Sequence, residues 1–104
     1  MSRERVLAYV PDLIDRSRVG AAAHVTFVAR PVDLGSATAG DVVVVDLGRP
    51  GVLEVLPEVV ATGARVVGFG SHVERTTLEA AAATGCEAMP RSQFFRSVAA
   101  LLAP

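Results

Sequence analysis

The run of four valines at positions 42–45 constrains the fold more than any other feature of this 104-residue chain. The run has no polar face, so it predicts a strand covered on both sides, as in a parallel sheet between two layers of helices. Parallel α/β proteins place their chemistry at the edge where the carboxyl ends of the strands meet. Asp46 follows the last valine, and this position makes it the first candidate functional residue.

The pattern outside this strand predicts that strands and helices alternate along the chain. Four further strands are expected at 5–10, 24–29, 65–69 and 86–89, with helices after the first, third, fourth and fifth strands. Residues 30–40 have poor helical periodicity and predict a loop with at most one turn of helix. Such alternation favours a three-layer α/β/α sandwich with a parallel sheet of order 2-1-3-4-5, the flavodoxin-like order, whose second helix is short or absent.

Length and composition narrow the class of protein. The chain is expected to form a single domain over residues 1–104. Its net charge of −1 argues against a nucleic-acid partner. Its basic residues are all arginines, so a lysine that forms a Schiff base, binds phosphate or acts as a general base is excluded. One cysteine permits no internal disulfide. No apolar run approaches the length that spans a bilayer, so we expect a soluble, cytoplasmic protein without a membrane partner.

Two stretches resemble the receiver domains of two-component response regulators, and the resemblance extends over nearly the whole chain. VVVVDLGRPG at 42–51 is similar to the strand, the phosphoacceptor aspartate and the loop of a receiver. GCEAMPRSQFFRSV at 85–98 is similar to its fifth strand and last helix. The resemblance implies that Asp46 occupies the phosphoacceptor position.

The other diagnostic positions of that family carry different residues here. The magnesium-binding acidic pair falls on Val10 and Pro11, the hydroxyl position on Gly70, and the lysine position near Ser92. Asp12, Ser71 and Arg91 stand beside these positions. Phosphoryl transfer needs magnesium and a cation to neutralise charge. The changes therefore imply a degenerate receiver, a pseudo-receiver: a non-catalytic signalling or interaction module, with no enzymatic turnover, no resident metal and no cofactor.

Two alternative functions remain open at the sequence level. In the first, Asp46 is a true phosphoacceptor, with magnesium bound by Asp46 and Asp12 and with Arg91 as the cation. In the second, a small anion or nucleotide binds at the turn after the fourth strand, where glycines allow close approach and a helix N-terminus supplies donors. The predicted anion site comprises Asp12, Gly68, Gly70, Ser71, His72 and Arg91. A plainer interpretation is that the glycines shape the turn and that Ser71 and Glu74 form a capping box.

Phe94 and Phe95 are the candidate interface residues. Adjacent residues on a helix point in different directions, so one ring is expected to face the core and the other to contribute to an exposed patch. Burial of both rings in the core is the competing interpretation. The resemblance implies dimerisation through the face of the fourth helix, fifth strand and fifth helix of the receiver fold, and we therefore expect a homodimer.

Overall fold

A computed structural model describes residues 3–104 of the chain. Its five strands form one sheet of order 2-1-3-4-5, and every neighbouring pair is parallel. The strands are β1 (Val6–Tyr9), β2 (Val25–Phe27), β3 (Val42–Asp46), β4 (Arg65–Gly70) and β5 (Glu87–Pro90). The predicted strand order is confirmed.

Helices cover both faces of the sheet and complete the predicted three-layer sandwich. The α-helices are α1 (Leu13–Ala22), α2 (Val52–Ala61), α3 (Arg75–Ala83) and α4 (Arg91–Leu101). Helices α1 and α4 pack together on one face, while α2, α3 and a short 3-10 helix at Pro31–Ser36 lie on the other. This 3-10 helix stands in place of a second α-helix, which confirms that the second helix is short. Its six residues exceed the single turn expected.

The valine run is buried on both sides, as predicted, because its side chains alternate between two cores. Val43 and Val45 belong to the core under α2 and α3, whereas Val42 and Val44 belong to the core under α1 and α4. All four are at most 6% exposed. The aliphatic strand at the centre of the sheet thus links both layers of helices to one scaffold.

The start of α3 differs from the predicted capping box. The helix begins at Arg75, and no side chain caps it. Ser71 Oγ accepts instead from the backbone N–H of Val73 at 3.4 Å, while the N–H of Glu74 donates to the carbonyl of Ser71 at 3.0 Å. Residues 71–74 therefore form a turn ahead of the helix. The prediction failed because a serine can bond a nearby turn as readily as a helix N-terminus.

Candidate functional site

The carboxyl edge of the sheet carries the candidate site, because β1, β3, β4 and β5 all deliver polar residues there. Asp46 is the last residue of β3, and its α-carbon is paired in register with that of Phe69 on β4. Arg91 follows β5 directly, and Asp12 lies between β1 and α1. Parallel strands bring these segments to one edge although they are far apart in the sequence.

Asp46 is engaged on both carboxylate oxygens by its own loop. Its Oδ1 accepts from the backbone N–H of Gly48 at 3.1 Å, and its Oδ2 accepts from Arg49 Nε at 3.1 Å. The residue is only 8% exposed. A carboxylate held in this way already has an internal cation, and a phosphoryl group or a metal would have to compete with it.

Arg91 pairs with Asp15, a residue that no sequence motif indicated. The two guanidinium nitrogens donate to the two carboxylate oxygens at 3.1 and 2.7 Å, which is the bidentate geometry of a strong ion pair. Asp15 is 3% exposed. The hydrogen bonds to Asp15 are the largest cause of the raised pKa of Arg91, and the negative charges of Asp46 and Asp12 raise it further.

Asp12 is the N-cap of α1 and is exposed to solvent. Its Oδ1 accepts from the backbone N–H of Asp15 at 2.9 Å, which is the usual role of an aspartate at this position. The first turn of α1 places Asp15 toward α4 and Arg91. One signal was present in the sequence, since Asp15 is an acidic residue within the apolar pattern of a helix. Its partner, 76 residues away, was not predictable from that pattern.

The carboxylates at this edge are already engaged within the protein. Asp46 and Asp15 are bonded to arginines, and Asp12 caps a helix. Within residues 3–104, no group of three or more histidine, cysteine, aspartate or glutamate side chains is arranged to hold a metal ion. Magnesium is usually bound by one or two carboxylates and keeps several waters, so it would have to compete with these bonds for a carboxylate oxygen. Asp46 and Asp15 are each neutralised by a guanidinium group.

The two glycines of the predicted anion site at the turn after β4 lie against leucine side chains. A Cβ at Gly68 would lie 2.7 Å from the Leu47 side chain, and one at Gly70 would lie 3.3 Å from the Leu78 side chain. Neither glycine has a positive φ. The glycines therefore make room for leucines, and binding of an anion at this turn stays a prediction. His72 is exposed in the turn beyond them.

Phe94 and Phe95 are both buried, so the expected exposed aromatic patch is absent from this face. With Phe69 they form a cluster whose ring centroids lie 4.9–5.2 Å apart. Helix α4 packs against the sheet and also against α1, so two of its sides are covered and two adjacent residues can be buried. Core packing is thus the interpretation that holds within the single chain.

The fold places the chain in the class of three-layer α/β domains with flavodoxin-like strand order. No protein-family model, no curated protein and no solved structure matches it. In residues 3–104, no helix is sufficiently long and apolar to cross a membrane.

Proposed function

We propose that this chain is a receiver-like interaction module that has no phosphorylation cycle and acts through protein–protein contacts. The observation that carries the proposal is the pairing of both buried carboxylates at the carboxyl edge with internal arginines, Asp46 with Arg49 and Asp15 with Arg91. These bonds supply charge neutralisation that a receiver obtains from magnesium and lysine. On this proposal the two ion pairs stabilise the fold and take no part in a reaction.

The chemical half of this proposal is tested by phosphorylation in solution. The protein is incubated with magnesium and acetyl phosphate, and its intact mass is measured beside that of Asp46→Asn. We expect the mass of both proteins to remain unchanged. A phosphate adduct that forms on the wild type and is lost in Asp46→Asn would contradict the proposal and establish Asp46 as a phosphoacceptor.

The contact surface that we propose is the face of α3, β5 and α4, with a second copy of the chain as the partner. Strand β5 lies at the edge of the sheet, so one side of its backbone is not paired within the sheet. Helix α3 beside it exposes the small side chains of Ala80 and Ala83. Small residues allow another chain to approach closely, and an unpaired strand edge supplies hydrogen-bonding groups to it.

The chain offers a matched pair of variants for this surface. Ala83 and Ala61 are both exposed and are the last residues of α3 and α2, respectively. We expect Ala83→Arg to convert a dimer to a monomer and Ala61→Arg to leave it intact, as measured by light scattering during size-exclusion chromatography. A wild-type protein that is monomeric at high concentration, or a dimer that both variants weaken equally, would contradict the proposed surface.

A further inference from the structure

An open cavity of about 610 Å³ lies between α1 and the N-terminus of α4. Its lining consists of Arg18, Arg91, Ser92, Phe95 and Arg96. Three of these five residues carry a guanidinium group, and none is acidic. The cavity is therefore positively charged, although the whole chain has a net charge of −1.

Two arginines of this cavity are not neutralised by the protein. Within residues 3–104, six of the ten arginines form an ion pair with a carboxylate, and Arg18 and Arg96 are not among the six. Arg91 is paired, but Asp15 binds only its two terminal nitrogens and leaves Nε–H unbound by that carboxylate. The cavity thus has donors and positive charge to offer a ligand.

The structure holds two of the guanidinium groups in place. Arg18 lies over the ring of Phe95 at 3.9 Å from the centroid, and Arg91 lies 5.4 Å from the same centroid while it is bonded to Asp15. Stacking on an aromatic ring leaves the edge of a guanidinium free to donate. A donor that is already ordered loses little conformational entropy on binding, so this arrangement favours a ligand.

Helix α4 adds backbone donors beside these side chains. It has eleven residues, and its N-cap is Pro90, which provides no side-chain cap. Ser92, in the first turn, lines the cavity. The N–H groups of a first helical turn have no partner within the helix, and the helix dipole favours negative charge at this end.

We propose that this cavity binds the phosphate group of a small phosphorylated molecule. Arginine forks match the geometry of phosphate oxygens, and those of Arg18 and Arg96, together with the Nε–H of Arg91 and a helix N-terminus, supply donors and positive charge for one anion. The volume lies in the range of small-molecule sites. The inference does not depend on the proposed interaction function.

The test is a titration of ¹⁵N-labelled protein with inorganic pyrophosphate, followed by amide chemical shifts. We expect saturable shifts at Ser92 and Gln93 and at the side-chain Nε–H of Arg18. Arg18→Ala and Arg96→Ala should each weaken binding about ten-fold or more, as is typical for the loss of a charge-assisted hydrogen bond. The matched control is Arg16→Ala, on the same helix, whose guanidinium stacks on Phe27 at 4.6 Å.

The outcomes distinguish a specific binding site from non-specific electrostatic attraction of anions. Equal weakening by Arg16→Ala, shifts that do not saturate, or shifts confined to the turn at 68–72 would overturn the proposal. A parallel arm uses vesicles that contain phosphatidic acid, and binding to vesicles without binding to pyrophosphate would also overturn it. Thermal melting of each variant checks folding, and Arg96→Ala keeps the test valid if loss of the Arg18–Phe95 contact destabilises the protein.

Discussion

The two ends of β3 carry aspartates in contrasting surroundings. Asp41, just before the strand, accepts from the backbone N–H and the hydroxyl of Thr38 and from Arg5, which is 36 residues away. Asp46, at the other end, accepts only from Gly48 and Arg49 within its own loop. One aspartate joins distant parts of the chain and the other orders a local turn. The comparison indicates that Asp41 contributes more to stability than Asp46, whose position can change its side chain at a smaller cost.

The largest expected effect is at Asp41. Asp41→Ala should lower the free energy of unfolding by about 3 kcal/mol, because it removes a buried carboxylate that three donors share. Asp46→Ala should lower it by about 1 kcal/mol, since its bonds are local and Arg49 is partly exposed. Urea denaturation of both variants followed by circular dichroism measures the difference. Equal losses would show that the two ends of β3 do not differ in this way.

The second prediction concerns the long-range ion pair between Arg91 and Asp15 at the carboxyl edge. Arg91→Ala should destabilise the protein by about 2 kcal/mol, because it leaves the Asp15 carboxylate, whose side chain is 4% exposed, without a cation. Arg49→Ala is the control and should cost less than about 1 kcal/mol. The same denaturation experiment applies. If Arg91→Ala lowered the free energy of unfolding no more than Arg49→Ala does, the ion pair between Asp15 and Arg91 would not be important for stability.

The third prediction is a dependence of stability on pH at the amino edge. Burial opposes ionisation of Asp41, but the N–H of Thr38 and the guanidinium of Arg5 outweigh it, so the pKa of Asp41 is lowered below its ordinary value of 3.8. Because the pKa of Asp41 is lower in the folded state, the ionised carboxylate stabilises the folded protein when the pH lies above the pKa of the unfolded state. This stabilisation is lost as the pH falls through the pKa of the folded state. Below about pH 4, the stability advantage of the wild type over Asp41→Asn should therefore shrink. An advantage that stays constant down to pH 2, about two units below the unfolded pKa, would contradict this account.

The smallest effect is expected at the other ion pair of the amino edge. Arg65 donates to both oxygens of Glu87 at 2.6 and 2.8 Å, and the hydrogen bond from Arg65 lowers the pKa of Glu87. Both side chains are nearly half exposed, so solvent screens the pair. Glu87→Gln should change the free energy of unfolding by no more than about 0.5 kcal/mol. A larger loss of stability would mean that solvent exposure does not explain why this pair contributes less to stability than Asp41.

The order of the elements followed from local patterns. The valine run predicted a strand buried on both faces, and the alternation of strands and helices predicted the strand order, because the crossover rules leave few arrangements open. The capping box failed at Ser71, where a turn and a helix start have the same local signature. The candidate site was predicted only in part: the end of β3 located Asp46, but no pattern revealed that Arg49 and Gly48 would occupy its oxygens.

The sequence by itself determined the fold class and the edge at which Asp46 lies, since both depend on periodicity and on the chirality of connections between neighbouring elements. Only the tertiary structure decided which charges meet. Asp15 and Arg91 lie 76 residues apart, and the sheet brings together the helices that carry them. The packing of α4 against α1 and the sheet buries both Phe94 and Phe95, and it gathers Arg18, Arg91 and Arg96 around one cavity. Hydrophobic patterns are local and repeat along the chain, whereas the pairing of single charges depends on distances that exist only in the folded protein.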